Sequence, residues 1–282
     1  MPIRIVQSKQ NARLKELRKA LTSPGRNERG LVGVEGPNLI GEALRSGLRV
    51  ECIFVGGKGA AVAFEPGAID EIDFLLVPEG HLESILTTES PQPSAALVRP
   101  PDWTWADVLR KNREGPPLVV VLAGLQDPGN LGTIIRSAEA FGADGVICLE
   151  GTVSSWNSKA VRASAGSVFR VPVLNASEGD AMARLRDAGV RILATAAQGA
   201  QPADLVDLAE PVALLIGNEG NGVPVDLAAK ADGVITIPCP GPVESLNAAV
   251  ATSVLLYEAA RQRAAQRAAK GGGHKERRGG TR

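Results

Sequence analysis

Five side chains able to hydrogen-bond or carry charge stand where apolar runs break into glycine- and proline-rich turns: Asn130, Arg136, Glu219, Ser245 and Asn247. They fall in three stretches, LQDPGNLGTIIRSAEAFGADGV (125–146), LLIGNEGNGVP (214–224) and IPCPGPVESLNAAVATSVLLYEAARQR (237–263). Each stretch begins apolar, breaks, and then passes toward a helix. Open α/β sheets place ligand-binding residues at such breaks, beyond the carboxyl ends of the strands. Three breaks of this kind in one half of a chain point to one composite site.

In the first stretch, residues 127–130 read as a turn, Gly132 loosens the backbone, and a helix runs from Thr133. Arg136 then lies in the first turns of that helix. A guanidinium forks onto phosphate geometry, so Asn130 with Arg136 suits a nucleotide hydroxyl and its phosphate. A turn asparagine beside a surface arginine is the plainer alternative. In the second stretch, Gly217, Gly220 and Gly222 allow backbone amides to approach a ligand closely. The loop has neither the Rossmann glycine fingerprint nor the P-loop GK[ST], and alone it also fits a tight strand-to-helix connection. Glu219 among those glycines implies a hydrogen-bonding duty. In the third stretch, a rigid Pro240-Gly241-Pro242 loop leads into a long helix that Ser245 and Glu244 suit as caps. Asn247 in the first turn offers both a donor and an acceptor.

Taken in order, N-x-G-x-x-x-R, then G-N-E-G-x-G, then I-P followed by E-S-L-N-A-A-V-A resemble the three motifs of the SpoU family. These are RNA ribose 2′-O-methyltransferases of the SPOUT superfamily, and the match runs over roughly residues 117–264. The basic helix near the start, followed by VEGPNLIGEAL, is similar to the small substrate-binding domain of ribosomal-protein-like α/β fold that often precedes the catalytic domain. The resemblance implies a deep trefoil knot, S-adenosylmethionine held in its loops, and a site completed across a homodimer through the C-terminal domain. By motif position it implies that Gly217, Ile237 and Leu246 line the cofactor pocket, with Thr195 and Ala196 as adenosine neighbours. Asn130, Arg136, Glu219, Ser245 and Asn247 would form the catalytic and substrate-positioning set. The base role falls to Arg136, oriented by Asn130 and assisted by a substrate phosphate, and no metal is needed. Neither His81 nor His274 sits in a motif, which speaks against a histidine base. An arginine with a pKa above about 12 is rarely deprotonated, so positioning and electrostatic stabilisation account for much of that role.

Such residues need an α/β scaffold. After a basic amphipathic helix with Ser8 as its cap, apolar runs at 30–36, 50–57, 73–78 and 95–100 read as strands, with HLESILTT helical. Residues 1–100 thus form an α/β unit, which the resemblance implies is an RNA substrate-binding domain. The proline-rich stretch 101–116 reads as a linker, and 117–268 as an α/β domain with a parallel sheet, the SPOUT domain that the resemblance implies. LVVVLAG, DGVICLE, RVPVL, RILATAA, PVALLIG and DGVITIP are its strands. Residues 269–282 read as a disordered basic tail.

Composition narrows the function further. The formal net charge is zero, but residues 1–30 hold eight Lys/Arg against two Glu, and residues 261–282 hold eight against Glu276. Basic ends on a neutral chain fit attraction to phosphate, and equally fit solvated helix faces. Aromatic residues make up only 3%, which argues against recognition by stacking bases on a broad aromatic face. Cys52, Cys148 and Cys239 are scattered and form no CxxC, so neither zinc nor a disulfide framework is expected, and the cytoplasm is. No apolar run suits a signal peptide or a membrane span. The leading reading is 2′-O-methylation of RNA, ribosomal RNA before transfer RNA, possibly at a guanosine. A non-catalytic RNA-binding or assembly factor is the alternative, and a nicotinamide-dependent oxidoreductase lacks its fingerprint.

Overall fold

The structure, a computed structural model, describes residues 3–6, 8, 10–23, 25–57, 72–78, 80–88, 92–109 and 115–272. The chain begins β1 (Ile3–Ile5), α1 (Ala12–Thr22), β2 (Val32–Glu35), α2 (Pro37–Arg45), β3 (Val50–Gly56), β4 (Asp73–Val77) and β5 (Ser94–Val98). A short α3 (Trp105–Val108) precedes β6 (Leu118–Leu122), α4 (Pro128–Ala140), β7 (Gly145–Leu149) and α5 (Ser158–Ala163). Then come β8 (Val173–Ala176), α6 (Glu178–Asp187), β9 (Arg191–Thr195), β10 (Gln201–Pro202) and β11 (Val212–Ile216). The chain continues through α7 (Val225–Ala228) and β12 (Gly233–Thr236) to α8 (Ala248–Gly272). The last ten residues of the basic tail, expected to be disordered, lie outside the described residues.

Two compact units emerge. The first comprises Met1–Asp102, Asp127–Arg136 and Val153–Arg170. Its mixed five-stranded sheet has the order β1-β4-β3-β5-β2. Leu14, Leu17 and Leu21 recur at helical spacing on α1 and bury that face against Cys52, Phe54, Leu75 and Leu97. The cap of α1 is Asn11, whose Oδ1 accepts the Arg13 N–H at 2.9 Å, whereas Ser8 accepts from Gln10 one turn earlier. Asn11 outcompetes Ser8 because it stands directly before the apolar repeat. HLESILTT forms turns rather than a helix. Eight residues ending in two threonines nucleate a helix poorly, and one turn already buries Leu82 and Ile85. The edge strand β1, paired in parallel with β4, is too short to show a pattern in sequence.

The second unit comprises Trp103–Gln126, Ser137–Thr152 and Val171–Arg282. It holds an all-parallel seven-stranded sheet in the order β10-β12-β9-β11-β6-β7-β8, as the unbroken apolar runs predict. β6, β7 and β11 are buried along their whole length. Ala181, Met182 and Leu185 of α6, with Leu227 of α7, close one face of that sheet over Val119, Val121, Ile147, Ala213 and Leu215. The expected linker contains α3, whose Asp107 carboxylate accepts the Thr104 N–H at 2.8 Å. Val108 is fully buried beneath Gly145, where a Cβ would stand 2.9 Å from the valine. At the other end of the unit, the buried Arg263 of α8 donates to the carbonyls of Pro116, Pro117, Leu208 and Glu210. One guanidinium thereby ties the C-terminal helix to the segments entering β6 and β11.

Candidate functional site

Strand register puts several loops of the second unit on one edge. Ile216 of β11 lies opposite Leu122 of β6, Leu215 lies opposite Ala194 of β9, and Ile235 of β12 lies opposite Thr195. The chain therefore leaves four neighbouring strands at nearly one level, about 4.8 Å apart from strand to strand. Ala196, Gly217 and Ile237 are at or just past those ends. Hydrogen bonds fix the exits: Thr195 Oγ1 donates to the Leu215 carbonyl at 3.0 Å, and Ala196 N–H to Ile235 at 2.9 Å. Thr236 Oγ1 then donates to the Ala197 carbonyl at 3.0 Å.

The loop after β11 is a closed turn. Asn218 and Gly222 exchange backbone hydrogen bonds of 3.0 and 2.9 Å, and Gly222 takes a φ of +66°. The Asn218 side chain serves both sides of the turn. Its Oδ1 accepts the Gly220 N–H at 2.9 Å, and its Nδ2 donates to the Gly124 carbonyl past β6 at 2.8 Å. Glu219 stands exposed at the tip, and its carboxylate accepts the Gln126 N–H at 3.3 Å. Two adjacent residues thus bind the loop after β11 to the loop after β6. Doubling back brings the chain over Gly217, where a Cβ would lie 1.9 Å from the Gly222 carbonyl carbon. The turn therefore closes backbone on backbone over Gly217.

Residues 237–247 connect β12 to α8 without regular structure. The cap of α8 is Asn247, whose Oδ1 accepts the N–H groups of Ala249 and Val250 at 2.9 and 3.2 Å. Ser245 and Glu244, expected as caps, lie in the loop ahead of it; asparagine is as strong a cap as serine and stands directly before the run of alanines. Ser245 is exposed and Leu246 half-buried. Past the cap, Val250, Val254 and Tyr257 line one exposed face of α8, and Tyr257 packs edge-on against Phe141.

Asn130 and Arg136 belong to α4. The helix starts at Pro128, five residues before the expected Thr133, because proline is preformed for the first helical position and Asp127 caps it. Asp127 Oδ1 accepts the Asn130 N–H at 2.9 Å, and its Oδ2 pairs with Lys159 Nζ at 2.9 Å. The Lys159 ammonium first, then the backbone N–H groups, hold this carboxyl below the usual aspartate range. Asn130 and Arg136 are six residues apart, which on a helix is about 9 Å of rise and a third of a turn off a shared face. The Arg136 side chain is exposed, and among the described residues it makes no hydrogen bond or ion pair. Gly132 does not loosen the backbone; it admits α5, since a Cβ there would stand 2.3 Å from the Ala160 carbonyl oxygen. Lys159 and Gln126 are the partners that sequence reasoning missed, although SKAVRA does carry two basic residues at helical spacing. Among the described residues no three His, Cys, Asp or Glu gather as a metal site, and no helix is long and apolar enough to cross a membrane.

These features define an α/β protein whose glycine- and proline-rich loops leave the carboxyl edge of a parallel sheet, with a small α/β sheet ahead of it in sequence. The chain belongs to the SpoU rRNA methylase family, whose profile matches residues 117–257. An MRM3-like substrate binding domain matches residues 11–96. The chain is 33% identical over 253 residues to the 23S rRNA (guanosine(2553)-2′-O)-methyltransferase RlmP of Bacillus subtilis, covering 89% of this chain and 97% of that one. The SpoU methyltransferase AviRb from Streptomyces viridochromogenes, solved with AdoMet, superposes with a TM-score of 0.79 at 29% identity, covering 90% of this chain and 98% of AviRb. An AdoMet-bound rRNA methyltransferase from Sinorhizobium meliloti also gives 0.79, at 32% identity over 92% of this chain and 98% of its own.

Proposed function

We propose that this protein transfers a methyl group from S-adenosylmethionine to a ribose 2′-hydroxyl of ribosomal RNA in the cytoplasm. The observation that carries the reading is the closed 218–222 turn over Gly217, whose peptide groups stand beside the exits of β9, β11 and β12. It suits the adenosine and amino-acid parts of that cofactor, with Thr195, Ala196, Gly217, Ile237 and Leu246 as its holders. The likeness to AdoMet-bound SpoU structures supports the same assignment. When bound, the cofactor supplies a methyl already activated on a sulfonium.

The chain's own residues have two remaining tasks, to align the ribose oxygen and to manage its proton. Arg136, exposed and without a protein partner among the described residues, takes an RNA phosphate and stabilises the charge that develops on the 2′-oxygen. Asn130 sets the substrate beside it, and Glu219 is held ready by Gln126. Ser245 positions the ribose. Asn247 caps α8 through Oδ1 and stands at the helix start, where it helps to orient the ribose or the cofactor.

Ribosomal RNA is favoured over transfer RNA by the substrate-binding domain and by the Bacillus subtilis relative, which also favours a guanosine. Lys15 and Arg18, exposed on α1, are the phosphate contacts of that domain. The protein is further proposed to be a homodimer, with Val250, Val254 and Tyr257 at its centre, and to carry the trefoil knot of its superfamily. Purified protein should transfer tritiated methyl to rRNA lacking the modification and leave tRNA unlabelled. Labelled tRNA would move the substrate, and no label on any RNA would refute the enzyme.

A further inference from the structure

Residues 158–170 and the first part of the helix they pack on, up to Arg136, lie in the same compact unit as the substrate-binding domain. Two arginines join that segment to the domain. Arg170 donates to Glu42 Oε2 at 2.7 Å and to Ser46 Oγ at 3.0 Å, at the C-terminal end of α2. Between them the chain lies tight on the helix: a Cβ at Gly166 would stand 2.8 Å from the Glu42 Cβ. At the other end of the segment, Arg162 Nη1 donates to Thr87 Oγ1 at 3.0 Å. It also lies 3.8 Å from Oε2 of Glu35, a carboxylate whose side chain is only 4% exposed. Glu35 spends its other oxygen on the N–H and hydroxyl of Thr87, at 2.8 and 2.7 Å. A buried carboxylate needs a cation, and among the described residues Arg162 is the one beside it.

The same segment is bound to the start of α4. α5 crosses α4 at Gly132 with no room for a side chain, and Lys159 holds Asp127, the cap of α4. A contiguous set of contacts therefore runs from Glu35 and Glu42, through α5 and the turn after it, to the helix that carries Asn130 and Arg136.

We propose that Arg162 and Arg170 are positioning residues. They lock the substrate-binding domain to the motif-one helix, so that RNA gripped by the domain meets Arg136 in one register. The inference rests on the RNA methyltransferase reading. Individually, part-exposed ion pairs stabilise little, so their value lies in placement, where a misplacement of about 1 Å lowers turnover by roughly 100-fold. Arg170 and Glu42 provide the cleaner test, because both lie apart from the motif residues; Glu42 Oε1 also pairs with Arg45 at 2.7 Å, so the charges are exchanged in an R45Q background.

The test measures kcat and KM for RNA together with S-adenosylmethionine affinity in R170E, E42R and the double exchange. Each single variant should lose about 10- to 100-fold in kcat/KM, with cofactor affinity unchanged, and the exchange should restore most of it. Single variants that keep wild-type turnover would overturn the proposal, as would an exchange no better than either parent. Weaker cofactor binding or a lower melting temperature matching the lost activity would overturn it too, by revealing a merely structural pair. A wild-type protein inactive on every RNA is a separate outcome that refutes the enzyme reading itself.

Discussion

The carbonyl carbon of Gly222 occupies the space that a side chain on Gly217 would need, 1.9 Å from an ideal Cβ. No rotamer relieves the clash, because the obstructing atoms are backbone. Gly217→Ala should therefore open the 218–222 turn and weaken S-adenosylmethionine binding at least about 10-fold, equivalent to roughly 1.4 kcal/mol. Gly241→Ala, where nothing lies within 4 Å, is the matched control and should bind normally. Calorimetric titration of both variants decides the matter, and equal affinities would remove Gly217 from the site.

Gly132 sets two local preferences against each other. Alanine gains about 1 kcal/mol over glycine in a helix interior, but here its methyl would meet the Ala160 carbonyl oxygen at 2.3 Å and the Ala163 Cβ at 2.6 Å. Overpacking of this kind costs about 1–3 kcal/mol, so Gly132→Ala should lower the urea midpoint despite its better propensity. A raised midpoint would mean that α5 moves aside freely.

How much of this was legible in the sequence depends on what each residue competes with. The parallel sheet could be read because β6, β7 and β11 are uninterrupted apolar runs buried on both faces. The three loops could be read because glycine, asparagine and proline interrupt those runs at regular places. The helix starts were harder. Asp-Pro-Gly-Asn has the composition of a turn, yet Asp127 caps and Pro128 opens α4. Ser245 and Asn247 are equally good caps, and only the tertiary path selects Asn247. The partners of the site were illegible, since Gln126, Lys159 and Glu35 act through contacts 25 to 127 residues away or across strands.

The Arg263 fork makes a stability prediction. Its guanidinium serves four carbonyls from a buried position, and burial pulls its pKa down without a carboxylate bonded to it. Arg263→Met keeps much of the packing but leaves carbonyls unsatisfied, each at about 1–3 kcal/mol when buried. Chemical denaturation should show a loss of roughly 3 kcal/mol. A change within about 0.5 kcal/mol, as for a surface site, would mean that water replaces the fork.

The thiols give a pH prediction. Burial pushes Cys52 and Cys148 from 9.0 up to about 12, while Cys239 is exposed. Their contribution to stability is complete below pH 9.0 and declines as pH rises toward 12, because the unfolded chain sheds protons that the native one keeps. Native protein at pH 8 should accordingly react with a thiol reagent at Cys239 alone. Cys239 Sγ donates to the Ile237 carbonyl, so S-adenosylmethionine should slow that reaction. Labelling of all three cysteines at one rate would contradict the buried placement.

Arg136 carries the central claim, and its exposure makes the test clean: Arg136→Ala should change stability by no more than about 0.5 kcal/mol and leave cofactor affinity intact. The decisive measurement is nucleoside analysis of rRNA, from cells lacking this protein, after incubation with S-adenosylmethionine and either form. One new 2′-O-methylated ribose is expected with the wild type, and a loss of at least about 100-fold in rate with Arg136→Ala. Methyl on a base, no methyl at all, or near-normal turnover by the variant would contradict it.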